Sequence, residues 1–274
     1  MVLVHYEMTR EIVRTIRSLS PAMQRGLDVK EWELLIVDNG SEAMPDLEEC
    51  AGLGVNLQWL SVRGSASPAR AMNEGISEAR GQLVGAMVDG ARLASPGLLS
   101  AALTAARMSA RPVITTLGYH LGPTTQQLSV AAGYDQQAED ALLARAGWTE
   151  DGYRLFEIST LAESSRDGTD RLPAESNALF MPRELWAELG GFDEAFESPG
   201  GGLVNHDVLM RACELQATDV FLLEGEGTFH QVHGGVSTNM PGTRWDEFAA
   251  EYARIRGRPF ERPDVPFTVL ERGP

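Results

Sequence analysis

Trp32-Glu33-Leu34-Leu35-Ile36-Val37-Asp38-Asn39-Gly40-Ser41 is an apolar run that breaks off into four turn formers. A short uninterrupted apolar run suits a strand covered on both faces, as strands of parallel sheets are. Asp-Asn-Gly-Ser is turn chemistry and ends the strand. The stretch therefore reads as a buried strand with an acidic residue at its carboxyl end.

The neighbouring segments repeat that grammar. Upstream, Val2–Tyr6 is a short apolar strand, and Ile12, Val13, Ile16 and Leu19 fall at helical spacing over Thr9–Leu19, with Thr9 as a cap. Downstream, a short helix leads to a strand over Val55–Leu60, and Pro68–Ala79 reads as a helix with proline in its first turn. Leu83–Val88 is a second buried strand, closed by Asp89-Gly90, and Ser95-Pro96 opens an Ala- and Leu-rich helix to Met108. This alternation predicts an α/β, Rossmann-like fold: a mixed, mostly parallel sheet with right-handed crossovers and helices on both faces. Ligands of such sheets bind beyond the carboxyl ends of the strands, where Asp38 and Asp89 both stand.

The second half is less regular. Residues 117–171 read as an irregular insertion with one helix near Glu139–Arg145. A strand over Asn177–Met181 and a helix over Pro182–Leu189 follow, stopped by Gly190-Gly191-Phe192-Asp193. Pro199-Gly200-Gly201-Gly202 precedes a helix from Asn205 to Leu215, and Val220–Leu223 is another buried strand. Gly225 to Gly235, which carries His230 and His233, reads as a flexible loop. The expectation is a single domain over 1–256, with halves 1–116 and 117–256, and a loosely packed arm over 257–274.

Composition narrows the chemistry. A chain of 274 residues can bury one sizeable core, and 43% hydrophobic with 23% charged residues is ordinary for a globular protein. The 23 Lys and Arg stand against 39 Asp and Glu, a formal charge of −16 that repels nucleic acid and anionic lipid. A phosphate-bearing ligand would need a local answer: a metal ion, a helix N-terminus or a focused arginine pair. Cys50 and Cys213 lack metal-type spacing and read as free thiols. No apolar run approaches the roughly 18 residues of a membrane span, and the first residues read as a strand rather than a signal peptide, so a cytoplasmic protein is expected.

Several of these segments together resemble the family-2 glycosyltransferases, nucleotide-sugar enzymes with the GT-A fold. The resemblance rests on Val37-Asp38-Asn39-Gly40-Ser41, Ala69-Arg70-Ala71-Met72-Asn73-Glu74-Gly75, Val88-Asp89-Gly90-Ala91, Gly190-Gly191-Phe192-Asp193-Glu194 and His206-Asp207. It spans about residues 2 to 235. Two departures stand out. The family's Asp-x-Asp metal motif is here Asp89-Gly90-Ala91-Arg92, and His206 replaces the first acid of the late acidic pair.

The resemblance implies transfer of a sugar from a nucleotide sugar, in the first place a UDP-sugar, to an acceptor hydroxyl, with Asp207 as the base of an inverting displacement. Asp38 then meets the nucleotide base; otherwise it is a turn residue that caps the next helix. Asp89, short of a second carboxylate, draws on His230 and His233 for a divalent cation, Mn²⁺ or Mg²⁺, with His233 favoured by its adjacent glycines. Arg92 or Arg70 offers an alternative by pairing with diphosphate oxygens, although Arg92 also suits a partner for Asp89. Asn73 is placed with the nucleotide, Asn177 and His206 with the sugar or acceptor, and Trp148, Tyr153 and Phe156 form either a sugar platform or a small core of the insertion. The rival readings are a non-catalytic nucleotide- or sugar-binding module with a degenerate metal motif and, more remotely, a sugar nucleotidyltransferase. A homodimer is left open.

Overall fold

The computed structural model describes residues 1–234 and 244–272; Gly235, the last glycine of the late histidine segment, and the final two residues lie outside it. The chain runs β1 Val2–His5, α1 Thr9–Ser18, β2 Leu34–Asp38, α2 Leu47–Gly52, β3 Leu57–Ser61, α3 Ala69–Glu78, β4 Leu83–Met87, β5 Arg92–Ala94 and α4 Leu98–Ala106. It continues with β6 Pro112–Leu121, α5 Gln126–Ala131, α6 Gln136–Ala146, β7 Ser159–Leu161, β8 Leu179–Pro182, α7 Arg183–Leu189, α8 Val204–Cys213, β9 Asp219–His230, α9 Trp245–Arg256 and β10 Phe267–Glu271. No helix among the described residues is long and apolar enough to cross a membrane.

The strands form one sheet in the order β10-β9-β6-β8-β4-β1-β2-β3, with β5 paired to β9 and β7 to β6. Along that path β8 alone runs against its neighbours, antiparallel to β4 and β6, while the other pairs are parallel. The mixed, mostly parallel α/β sheet is therefore as the sequence predicts. Because β8 is reversed, the residues that lead into it lie at the same edge as the carboxyl ends of β1, β2, β4 and β6.

Apolar side chains fill both faces. One layer joins Val2, Val4, Leu35 and Val37 to Trp186, Phe192, Val208 and Tyr252 of α7–α9 and their loops; the other joins Leu3, Leu34 and Ile36 to Ile12, Ile16 and Leu98 of α1 and α4. Alternate residues of one strand face opposite layers, which is why β1 and β2 had to be apolar throughout. Helix ends follow local chemistry: Asp135 caps α6 by accepting from Ala138 N–H at 2.9 Å, and Gly147 and Gly190 end α6 and α7 in the left-handed region. Thr9 is not the cap of α1; Met8 holds that position, with no side-chain cap hydrogen bond.

Three sequence readings are corrected here. Residues 117–171 are not a loose insertion: β6 runs to Leu121, β7 pairs with it, and Trp148 and Phe156 pack with Leu93, Leu143 and Phe229 in a third cluster. Those aromatics form a core, not a platform, since they are held between elements rather than presented in the open. The tail is no loose arm either, for Phe267–Glu271 adds a parallel edge strand to β9. Its half-buried Phe267 and Leu270 pack against the two layers, which gives the segment a reason to order. The late glycine segment is not a loop as far as His230, because β9, 12 residues long, runs through it to that residue.

β9 changes partners on the way. Its first half lies between β10 and β6; after a register shift between Thr116 and Leu117 its second half pairs with the end of β6 and with β5. Glu226 sits at the change, 1% exposed, accepting from Ser95 Oγ at 2.5 Å, Gly97 N–H at 3.0 Å and the Tyr153 hydroxyl at 2.7 Å. A Glu226→Ala substitution strands two buried donors and the half-buried Tyr153 hydroxyl. The expected loss is about 3 kcal/mol of unfolding free energy, measured by urea denaturation.

Candidate active site at the carboxyl edge of the sheet

The loops after β2 and β3 are laced together. Asn39 donates from Nδ2 to Ser65 O at 2.8 Å and accepts from Ser65 N–H at 3.1 Å. Gly40 and Gly64 cross at the seam, where a Cβ on Gly40, itself at φ 84°, would come within 2.7 Å of Gly64 Cα. Only glycine allows both the left-handed turn and that approach. At the start of the seam, Asp38 Oδ1 lies 3.1 Å from His5 Nδ1 and accepts from Ser41 N–H at 3.3 Å. Burial raises the Asp38 carboxyl, and Ser41 and His5 outweigh it, leaving the group more acidic than usual. Beside the seam opens a cleft of 260 Å³ lined by Arg63, Gly64, Ser65, Ser67, Arg70 and Glu194 among others. Arg70 is exposed, with Glu74 at 3.8 Å as its ion-pair partner.

At the end of β4 the structure brings Asp89, His230 and His233 together. Asp89 Oδ1 accepts from Ala91 N–H at 2.9 Å, which aims Oδ2 at His230 Nε2, 2.6 Å away, and His233 Nε2, 3.5 Å away; the two Nε2 atoms are 3.3 Å apart. The ligand atoms all lie within 4.8 Å of one another. Two donors each about 2.1 Å from a divalent cation and at right angles lie roughly 3 Å apart, so these separations suit the edges of a coordination shell. His230 Nδ1 meets Gln126 Oε1 at 2.5 Å, the kind of contact that fixes a ligating histidine's tautomer with the Nε2 lone pair forward. Burial would raise the Asp89 carboxyl, yet the two imidazoles hold it well below the usual range. Burial lowers His230, whereas at His233 the Asp89 carboxylate outweighs burial and raises it. His230, which ends β9, is the nearer to Asp89 and the more buried of the two.

The approach of these groups has visible causes. Arg92 pairs with His230 in the β5–β9 ladder, and Gly90 tucks its amide under Val4 O at 2.9 Å. Glu139 Oε2 accepts from Val232 N–H at 2.7 Å, fixing the turn between the two histidines. Burial pushes the Glu139 carboxyl up to about 7 against that hydrogen bond and the nearby Arg10. His120, at the end of β6, accepts from Gln126 N–H at 2.9 Å, and burial lowers it to about 3. All five histidines of the chain lie at this edge.

Other expected site residues are engaged elsewhere. Asn73 binds the backbone just after the α7 stop, accepting from Phe192 N–H at 2.8 Å and donating to Phe192 O at 2.9 Å and to the Glu194 carboxylate at 3.0 Å. Its amide therefore locks the Gly191-Phe192 turn and is not free for a nucleotide. Asn177 is fully buried: Oδ1 accepts from Arg92 at 3.0 Å and Nδ2 donates to Thr116 O at 3.3 Å. It orients the Arg92 guanidinium and does not reach a sugar. Arg92 points to Asn177, with no ion pair to Asp89 among the described residues.

Asp207 departs furthest from expectation. It is 0% exposed, accepting from Arg256 Nε at 2.5 Å on one oxygen and from Arg211 Nε and Arg256 Nη2, both at 2.7 Å, on the other. With both oxygens taken by guanidinium hydrogen bonds and no exposed surface, this carboxylate presents no open face to an acceptor. His206, one residue earlier, stands edge-on to Phe260 and Trp245 at 5.0 and 5.9 Å, its Nδ1 buried without a partner. Sequence reading missed Gln126 and Glu139, since no motif marks a residue whose role comes from a contact roughly a hundred positions away.

No family model matches the sequence, and no curated protein does either. Solved structures do. The S. aureus TarS crystal structure superposes with a TM-score of 0.56 at 13% identity, over 84% of this chain and 36% of that one. The chain has the fold of that protein. The TarS 1-349 structure in complex with UDP gives 0.55 at 13% identity, over 84% of this chain and 59% of that one. The one in complex with UDP-GlcNAc gives 0.55 at 14%, over 92% and 65%. The chain thus spans between about a third and two thirds of the structures it matches, and its α/β architecture is of the GT-A type.

With Asp207 a structural anchor, Asp207→Asn should lower stability by about 3 kcal/mol, read from the urea midpoint. Unchanged stability would mean that the arginine clamp contributes nothing to the fold.

Proposed function

We propose that the chain is a glycosyltransferase that moves a sugar from a UDP-sugar, or a related nucleotide sugar, to an acceptor hydroxyl. The observation that carries this is the meeting of Asp89, His230 and His233 at the carboxyl edge, on the same side as the Asp38 seam and the Arg63–Arg70 cleft. A nucleoside diphosphate needs a shaped apolar or polar slot for its base and concentrated positive charge for its phosphates. In a chain of net charge −16, that positive charge has to be local.

In this reading Asp38 accepts from the base, while Arg63 and Arg70 border the path of the phosphates. Asp89, His230 and His233 hold a divalent cation, Mn²⁺ or Mg²⁺; mixed nitrogen and oxygen donors favour Mn²⁺ over Ca²⁺. When bound, the cation supplies the positive charge that stabilises the departing diphosphate. Arg92, steadied by Asn177, adds a fixed guanidinium next to that place. The fold likeness to TarS, solved with UDP and with UDP-GlcNAc, supports the donor class.

A second reading, a nucleotide- or sugar-binding module without catalysis, draws support from the sequestration of Asp207. UDP release from a panel of UDP-sugars separates the two: an enzyme leaks hydrolysis, and a binding module gives none. For the cation, UDP affinity measured by calorimetry should be at least tenfold higher with Mn²⁺ than with EDTA, and His230→Ala should abolish that difference. Equal affinities would count against a metal bridge and leave the phosphates to Arg63, Arg70 and Arg92.

A further inference from the structure

With Asp207 clamped, the acceptor hydroxyl needs another proton acceptor. The carboxylates at this edge can be taken in turn. Asp38 belongs to the His5–Ser41 group, Asp89 to the histidine cluster, Glu11 and Glu139 to Arg10, Asp193 to Arg256 and Glu194 to Asn73. Glu175 remains. It is partly exposed, and its carboxylate forms no salt bridge within 4.0 Å among the described residues.

Its place is fixed by neighbours on both sides. Ser176 N–H donates to Asn205 O at 3.1 Å, which pins the strand approach to the first turn of α8 beside His206. Asn177 reaches back to Glu175 O at 3.4 Å while accepting from Arg92 at 3.0 Å. Glu175 thus stands between the α8 start and Arg92, the β5 residue paired with His230. His206, Arg92 and His120 are the charged or titratable groups that face it, and Arg262 lies near His206. Burial raises the Glu175 carboxyl, but His206, Arg92 and the neighbouring Ser164 hydroxyl outweigh it and leave the group more acidic than usual. The aromatic pair Trp245 and Phe260 lies against His206, and Trp245 is 46% exposed. An exposed indole beside polar groups offers a surface for the apolar face of a sugar ring.

We infer that Glu175 is the general base of the transfer, with His206 and Trp245 bounding the acceptor subsite, and that the acceptor is a saccharide hydroxyl. This rests on the glycosyltransferase reading above. In the step, the acceptor O–H proton passes to a Glu175 carboxylate oxygen. The acceptor oxygen's electron pair forms the bond to the anomeric carbon, and the bond from that carbon to the diphosphate oxygen breaks with its pair leaving on UDP. Water in place of the acceptor uses the same base, so donor hydrolysis reports on it.

The test compares wild type with Glu175→Gln, the isosteric change that removes the basic oxygen. UDP release from UDP-GlcNAc and related UDP-sugars is followed with Mn²⁺ present, alongside UDP affinity and thermal midpoint. The expected result is a fall in kcat of about 100-fold or more, loss of the acid limb of the pH–rate profile, and unchanged UDP affinity and midpoint. Glu175→Asp, which keeps a carboxylate but shortens its reach, should recover part of the rate. A Glu175→Gln rate within threefold of wild type, or an intact acid limb, overturns the assignment while the transferase reading stands. Wild type that neither binds UDP nor releases it from any UDP-sugar overturns the transferase reading itself, and this one with it.

Discussion

Glu226 has its carboxylate buried among a serine hydroxyl, a backbone amide and a tyrosine hydroxyl, and no water is needed to satisfy it. That arrangement fixes where β9 goes. Gly227 N–H donates to Ser95 Oγ at 2.9 Å and Thr116 Oγ1 donates to Glu226 O at 2.9 Å, so both neighbouring strands are tied to the same point. Beyond it the strand leaves β10 and takes up β5, and the ladder Arg92 to His230 follows. The position of His230 against Asp89 is thus a consequence of a hydrogen-bonded knot several residues away. A carboxylate so enclosed tolerates little displacement, because its Ser95 and Gly97 partners are buried too.

The electrostatics follow from scarcity. The acidic surface makes any cation at the carboxyl edge count, and the structure keeps its arginines there under control. Arg211 and Arg256 are consumed by Asp207, holding α8 and α9 together, while Arg92 is oriented by an amide rather than neutralised by an acid. Arg63 and Arg70 stay at the surface of the cleft. The edge therefore sorts its guanidiniums into structural and available ones. The same sorting applies to carboxylates: two arginines clamp Asp207, whereas Glu175 carries no salt bridge among the described residues.

Several parts of this were legible in the chain. The runs around Leu34–Val37 and Leu83–Val88, with acids at their ends, specify buried parallel strands because apolar faces on both sides leave no other solution. Asp89, His230 and His233 could be named from residue type, since few side chains ligate cations. What misled was local appearance. Thr115, Thr116 and Gly118 give β6 an undistinguished look, and its length comes from pairing with β9 and β8, which no window of sequence contains. Asn73, Asn177 and Asp207 looked functional by type and position, and each proved to hold backbone or arginines in place.

By itself the sequence determined the fold class, the edge at which Asp38 and Asp89 stand and the types of group assembled there, because periodicity and turn chemistry act over a few residues and need no partner. Tertiary structure decided which polar groups stay available. Whether a carboxylate is a base or a clamp depends on the charges that fold against it: Arg256 reaches Asp207 from 49 positions away, and that distance in sequence carries no local mark.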